Sequence, residues 1–478
     1  MVEISLLVLH VIFVLALGYY FITSMQWYSY KIERVLLHYN RYDWHVYYFF
    51  LPLVAYYVSF DFIVYGVYAL YFIALFLWYK KRDKKLVFTS RVKRFFLFLF
   101  FITLFQNLLC SLYFNCHTYG VIIPLFLAQF FSFIFEKMLF LSFKKEAKAK
   151  IIQMEQLKVV AITASYGKTS IKNFLAQILS LKFSVYATPR SVNTLGGIIK
   201  DINEDLPQKT QIYIVEAGAR AKGDIDEIAK LVEPHIAIVG KIGEQHIEYF
   251  KTLENIRNTK MEIIHSSRLE KAFVHESAQV RETDKIKVFG EDLSHIESTL
   301  DGISFDMMLD GSLEHFTCKL LGDFNAINIA ATIHVALSLG LDIETIKRAV
   351  LNLKGVEHRL QRIEAGGKII IDDSFNGNFD GMMSSYALAS TYMGRKVIIT
   401  PGIVESSESA NIALAQKIDD VFDLVIITGK INLKILDLHV RKAEKIILED
   451  KSKMQEILAE YTRAGDLILF SNDAPNFL

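Results

Sequence analysis

The chain has 478 residues, 52% of them hydrophobic and 13% aromatic, with a formal net charge of +1. That length allows about three domains, and so balanced a charge carries no footprint of a nucleic-acid binder. Cys110, Cys116 and Cys318 are the only cysteines, and their spacing suggests neither a disulfide framework nor a zinc site.

The apolar and aromatic residues are concentrated in the first third. Segments at about Ile4 to Thr23, Trp44 to Phe60, Phe62 to Tyr79, Phe95 to Asn115 and Tyr119 to Phe135 are each near the length needed to cross hydrocarbon. Residues 1–143 therefore read as a transmembrane region of about five helices, with only Asp61 between the second and third, and with Tyr and Trp clustered at the ends as interfacial anchors. Lys31, Arg34 and Arg41 follow the first span. Lys80, Lys81, Arg82, Lys84, Lys85, Arg91, Lys93 and Arg94 follow the third, and Lys144, Lys145, Lys148 and Lys150 the fifth. Basic loops stay cytoplasmic, so the N-terminus is expected outside and everything from about residue 143 inside. The first span lacks the basic n-region and small-residue cleavage site of a signal peptide. His10, Gln106 and Asp61 each stand singly, which fits structural polar groups better than a transport path.

Residues 144–156 read as a short charged linker helix. From Leu157 onward strands alternate with helical patterns: Val159 to Thr163, Ile212 to Glu216, Ile236 to Val239, Ala272 to His275 and Lys287 to Phe289. A second set follows at Lys368 to Asp372, Lys396 to Thr400, Leu424 to Thr428, Lys445 to Leu448 and Leu467 to Phe470. The alternation predicts doubly wound α/β domains, one at 157–362 and one at 363–478.

The first strand runs into Thr163-Ala-Ser165-Tyr-Gly167-Lys168-Thr169-Ser170 and then a helical pattern, which is the context a phosphate-binding loop requires. Backbone N–H groups around Gly167 and the helix N-terminus can cradle phosphate oxygens. Lys168 would reach the β/γ-phosphates and the Thr169 hydroxyl would face Mg²⁺. The match is partial, because Ile162 occupies the place of the usual first glycine. Glu216 ends a buried strand, where a carboxylate can take Mg²⁺, and His246 follows the next strand in the same way. Each has a plainer reading, as a helix-cap neighbour and a loop histidine.

In this order of boxes the chain resembles the Mur ligase family, over about residues 157–478. The loop matches at Thr163, Ser165 and Gly167 to Ser170, with Ala164 and Tyr166 departing. Glu216 to Ala219 resembles the Glu-x-Gly-Ala box. Lys241 to Phe250 resembles the Asn-x₄-His box, with Lys241 in place of asparagine, and Lys260 to Ile263 resembles Lys-x-Glu-Ile. Gly322 to Ala331 is similar to a segment whose second asparagine, here Asn328 after Asn325, faces adenine; Phe324 replaces its histidine. Arg359 resembles the linker arginine that contacts nucleotide phosphate. Ile371 to Asn378, with Asp373 and Asn376, resembles the Ile-Asp-Asp-Ser-Tyr-Asn-Ala-Asn-Pro of the family member that adds D-alanyl-D-alanine, with Phe375 and Phe379 departing from Tyr and Pro.

The resemblance implies a P-loop central domain and a Rossmann-like C-terminal domain. It further implies ATP and two Mg²⁺ ions, one held by Thr169 and Glu216, the other by His246 and a carbamylated Lys260. The reaction implied phosphorylates a carboxylate from ATP and lets an amine attack the acyl phosphate, with Lys168, Lys260, His246, Arg359 and Asp373 as catalytic residues and Arg359 and Asp373 acting on domain closure. Nucleotide contacts fall on Thr163, Ser165, Gly167, Lys168, Thr169, Ser170, Asn325, Asn328, Arg359, Asp373 and Asn376. The partners implied are a muramoyl-peptide, D-alanyl-D-alanine, the lipid bilayer of a bacterial inner membrane and other cell-wall enzymes. A membrane region stands where relatives carry a uridine-nucleotide-binding domain. Three readings therefore remain open on the sequence: a ligase adding D-alanyl-D-alanine to a UDP-linked muramoyl-tripeptide, a related ligase or amidating enzyme acting on a lipid-linked cell-wall precursor, and an inactive membrane scaffold for cell-wall enzymes.

Overall fold

The computed structural model describes residues 2–28, 30–37, 42–59, 62–82, 84–114, 116, 118–244, 247–375, 377–403 and 406–472. Asp61, Arg41, His246 and Asn376, all singled out above, lie outside the described residues. The chain divides into two compact units, Met1–Ser142 and Phe143–Leu478.

In the first unit the described residues contain four helices long and apolar enough to cross a membrane: Ser5–Trp27, Ile63–Lys81, Ser90–Tyr113 and Ile122–Gln153. The remaining span, second in order and expected at Trp44 to Phe60, is a shorter helix over 42–58, widened by a π turn at Val46–Phe50. Pro52 explains the widening. It has no N–H to donate and its ring crowds the carbonyl four residues earlier, so the preceding turn opens; the Leu51 N–H reaches back to the Val46 carbonyl. Phe13, Val14, Leu17, Tyr56, Tyr68, Phe95 and Leu99 form the unit's buried core. The cysteines correct the sequence reading: Cys110 and Cys116 are disulfide-bonded, with Cα atoms 5.2 Å apart. The helix ends in a π turn at Cys110–Phe114, and the Cα separation is within the range that a disulfide spans.

The separate linker helix is also corrected. Residues 144–153 are the last turns of Ile122–Gln153, and Ala147, Ile151 and Met154 are buried in a core of the second unit.

That unit is built on a parallel sheet of β1 (Lys158–Thr163), β2 (Val185–Ala187), β3 (Ile212–Glu216), β4 (Ile236–Val239), β5 (Lys271–His275) and β6 (Ile286–Phe289), in the order β2-β3-β1-β4-β5-β6. Val160 and Ile162 of β1 face one core with the helices Lys168–Leu179 and Phe324–Ser338. Val159 and Ala161 face the other, with Leu195–Glu204 and Asp224–Val232. Helices on both faces explain why these strands are unbroken apolar runs rather than alternating ones. Ile162 pairs with Glu216, so the ends of β1 and β3 are level.

Three strands that the sequence reading missed, β7 (Leu293–Thr299), β8 (Gly302–Leu309) and β9 (Ser312–Cys318), form an antiparallel sheet. β10 (Gln361–Ala365) crosses the expected seam at 362/363 and pairs antiparallel with β11 (Lys368–Asp373). With β12 (Lys396–Thr400), β13 (Leu424–Thr428), β14 (Glu444–Leu448) and β15 (Leu467–Ser471) they make the second sheet, in the order β10-β11-β15-β12-β13-β14.

Candidate active site

The site lies at the carboxyl ends of β1 and β3, where parallel sheets bind ligands. The loop after β1 turns at Gly167, whose φ of +81° is a left-handed conformation that glycine adopts without strain. A Cβ there would come within 2.2 Å of Asn328 Oδ1. Gly167 therefore serves two purposes, the turn and the close approach of the helix Phe324–Ser338. Asn328 Nδ2 donates to Asn325 Oδ1 at 3.2 Å, and Asn325 Nδ2 to the Leu321 carbonyl.

Lys168 opens the helix and folds back, donating to the carbonyls of Ala164 (2.6 Å) and Ser165 (3.1 Å). Burial pulls its pKa down to about 8, against the opposing pull of Glu216 and with a further push from Arg359. Thr169 Oγ1 donates to Glu216 Oε2 at 3.1 Å. Ser165 is locked to the loop after β4, its N–H on the Lys241 carbonyl and its Oγ on that of Gly243. Ser170 is buried in the first turn of the helix. Thr163 Oγ1 is buried without a partner, an orphan donor beside the loop.

Lys172 was missed. It lies one turn after Lys168, on the same face of the helix, and its ammonium is 3.2 Å from Glu216 Oε2, both side chains 2% exposed. It also donates to the Arg190 carbonyl, while Asn193 Nδ2 donates to Glu216 Oε1 and Thr188 Oγ1 accepts from the Glu216 N–H. The charge spacing around Lys168 was the available signal.

Lys260 comes from the helix Leu253–Met261 and is 3% exposed. Its ammonium has no hydrogen-bond or ion-pair partner among the described residues. Burial first, then the nearby charge of Lys168, lowers its pKa to about 7; Asp224 opposes. The next acid, Glu262, is used structurally and accepts from the N–H groups of Gly223 and Asp226 at the start of Asp224–Val232.

From the C-terminal sheet, Asp373 ends β11. Burial raises its carboxyl to about 6, opposed by the Leu360 N–H, Ser385 and Arg359. The Arg359 guanidinium lies 5.1 Å over the Phe375 ring, and burial lowers its pKa while Glu216 and Asp373 raise it. Glu216, at the end of β3, and Asp373, at the end of β11, thus both act on the charge of Arg359. Asp372 is held within the C-terminal part instead, accepting from Ser374 Oγ at 2.5 Å and pairing with His358 Nδ1 at 2.7 Å. Phe324, in the place of a histidine, packs against the C-terminal core with Leu321 and Leu360, and Ser384 Oγ ties to Asp323 Oδ1 at 2.9 Å.

Among the described residues no three His, Cys, Asp or Glu side chains converge on a cation site. Thr169 and Glu216 supply two oxygens, which suits a Mg²⁺ that completes its shell with water and nucleotide phosphates.

Residues 162–336 match the family model of the Mur ligase middle domain. The chain is 25% identical over 337 residues, covering 66% of this chain and 72% of the relative, to a UDP-N-acetylmuramoyl-tripeptide--D-alanyl-D-alanine ligase of Bacillus subtilis. Its structure is similar to MurF from Acinetobacter baumannii, with a TM-score of 0.61, 25% identity and coverage of 70% of this chain and 77% of that one. It is also similar to MurF ligase from Thermotoga maritima in complex with ADP, with a TM-score of 0.60, 26% identity and coverage of 70% and 80%. The chain carries a Mur ligase middle domain in a MurF-like fold. The loop 164–167, Lys168 and Thr169 all fall inside that domain, as do Glu216 and Lys260. Arg359 and Asp373 come from beyond it.

Proposed function

We propose that the protein is an ATP-dependent ligase that adds D-alanyl-D-alanine to UDP-MurNAc-tripeptide. The observation that carries this is the hydrogen bond of Thr169 to Glu216 beside Lys168 at the ends of β1 and β3, with Arg359, in the segment before β10, under the charges of Glu216 and of Asp373 at the end of β11. The acceptor carboxylate takes the γ-phosphoryl group. The dipeptide amine then displaces phosphate from the acyl phosphate, leaving an amide and ADP. Lys168 and Arg359 offset the negative charge that gathers as carboxylate and triphosphate meet. Asp373, at the end of β11, holds ribose or the incoming amine by accepting hydrogen bonds. Mg²⁺ held by Thr169 and Glu216 would supply Lewis-acid screening of the phosphates.

Lys260 belongs to the same reading as a carbamate. A buried amine with a pKa near 7 is substantially neutral at physiological pH, and only the neutral amine adds CO₂, releasing a proton to give an N-carboxylate. The modification would turn the repulsion between Lys260 and Lys168 into attraction.

The test is phosphate release by the full-length protein in detergent with ATP, Mg²⁺, D-alanyl-D-alanine and UDP-MurNAc-tripeptide, omitting each in turn. Release that needs every component and yields the pentapeptide is expected. Release without dependence on either acceptor or dipeptide would sink the assignment.

The first unit fits a bilayer anchor with the ligase on the cytoplasmic side. Lys31, then Lys80 to Arg94, then Lys144 to Lys150 can all be cytoplasmic only if the helix over 42–58 also crosses. At about 1.5 Å per residue it is a short but sufficient span if flanking residues bend to the interface. That parity puts the Cys110–Cys116 bond outside, where disulfides persist. In intact cells a membrane-impermeant maleimide should label Cys110 and Cys116 only after reduction, and leave Cys318, which is buried in β9, unlabelled. Labelling that requires permeabilisation would invert the topology.

A further inference from the structure

Arg82 caps the C-terminus of the helix Ile63–Lys81 and is 7% exposed. Its guanidinium carbon lies 4.2 Å from the ring centroid of Tyr79, 5.2 Å from Tyr19 and 5.3 Å from Trp78. Its Nη2 donates to Tyr19 Oη at 2.5 Å. Nothing else is satisfied: Nε and Nη1 are buried without an acceptor, and so are the indole Nε1 atoms of Trp78 and Trp27, whose rings are 5.9 Å apart.

Aromatic faces disperse the charge of a cation lying over them, but they do not accept the N–H groups that point along the guanidinium plane. Among the described residues no carboxylate pairs with Arg82. A buried cation with unused donors is costly unless an anion joins it. Every unpaired atom in this cluster is a donor, so the missing component is an acceptor-only, negatively charged group with several oxygens. The wall of the cluster is fixed in advance: the Gln26 side chain donates to the Val87 carbonyl and accepts from the Val87 N–H, both at 2.9 Å. This ties the segment after Arg82 to the first helix.

Two observations favour an anion carried on a lipid. The cluster is set in the basic run Lys80, Lys81, Lys84, Lys85, which raises the local concentration of anionic headgroups at a cytoplasmic membrane surface. Beside it Val87 and Phe88 are 63% and 56% exposed, apolar neighbours suited to an acyl or isoprenoid chain rather than to a soluble ion.

We propose that Arg82, Trp78 and Trp27 form a binding site for the phosphate group of a membrane lipid. The proposal rests on the reading of the first unit as bilayer-spanning, and adds to it a specific ligand contact.

The protein reports on this site by itself, since Trp27, Trp44 and Trp78 are its only tryptophans. Intrinsic fluorescence of the full-length protein in detergent is followed during titration with a polyprenyl phosphate, with phosphatidylglycerol and with inorganic pyrophosphate. Saturable binding of at least one lipid is expected, weakened about tenfold or more in Arg82→Gln and unchanged in Lys84→Gln, which alters an exposed charge of the same run. Binding that survives Arg82→Gln, or falls equally in Lys84→Gln, would overturn the site in favour of a diffuse basic collar. Saturation by pyrophosphate at the same concentrations would replace the lipid by a soluble phosphate and overturn that part. If Arg82→Gln does not fold, Trp27→Phe keeps a ring and removes one donor; it should weaken binding several-fold, and wild-type affinity there also counts against the site. Alkaline carbonate extraction separates the two readings. Release of the wild-type protein from membranes would refute the bilayer anchor, whereas a retained protein that binds no lipid refutes only the phosphate site.

Discussion

Replacing Lys260 with methionine is expected to abolish ligation and yet raise the melting temperature of the nucleotide-free protein. The two effects have one cause. Burial and the charge of Lys168 lower the Lys260 pKa to about 7 from an ordinary 10.5. Between those values the unfolded chain binds a proton that the folded protein does not, so stability rises with pH across that window and the burial penalty is largest below it. At pH 7 to 8 most of the penalty remains, and methionine, similar in length and uncharged, removes it. A gain of a few degrees is expected by differential scanning fluorimetry. Activity should fall by about 10²-fold or more, because the carboxylate that the amine would acquire is lost. Three further results follow for the wild type and its variants. Activity should drop as pH falls below about 7, as the amine protonates and can no longer hold CO₂. It should decline on CO₂ depletion and return with bicarbonate. A small carboxylic acid should partly restore Lys260→Ala. An active Lys260→Met protein would remove this residue from the mechanism.

Lys168→Ala is expected to cost about 10³-fold or more in kcat/KM, the range for losing a preorganised charge in a water-poor site. The fold should be little affected, because the Lys168 ammonium bonds only to carbonyls of its own loop, Ala164 and Ser165. In the nucleotide-free protein its pKa is lowered to about 8, so its charge fades as pH rises past that value. The affinity for ADP, measured by calorimetry, should therefore weaken from about pH 8 to pH 10 in the wild type, and this limb should be absent in Lys168→Ala. An unchanged pH dependence in the variant would show that some other group carries it.

The parallel strands were legible because both of their faces are covered. Val159 to Thr163 and Ile212 to Glu216 are uninterrupted apolar runs that end in a polar residue, and the polar residue marks the site. β7 was not legible: Leu293-Ser-His-Ile-Glu-Ser-Thr299 lies largely exposed, and a bulge between Ser294 and Glu297 breaks the alternation that would have revealed it. The turn of helix after residue 143 looked like a free linker because lysines dominate it. Ala147, Ile151 and Met154, spaced four and three apart, carried the buried face all along. Thr169 and Gly167 were singled out through the loop pattern, and Glu216 as the carboxylate that ends a buried strand. Lys172 was not, since a second lysine on a helix reads as surface until the fold closes Glu216 over it. The Cys110–Cys116 pairing follows a π turn at Cys110–Phe114, which no residue spacing announces.

The ion pair between Lys172 and Glu216 bears on the order in which ligands are admitted. A carboxylate whose charge is already balanced at 3.2 Å, and whose other oxygen is engaged by Asn193, attracts a lone divalent cation weakly. If Glu216 takes Mg²⁺ as proposed, the cation is expected to enter with the phosphates that share its charge. Rate measurements that vary free cation and cation-nucleotide complex independently would then obey an ordered scheme, with the complex as the first true reactant.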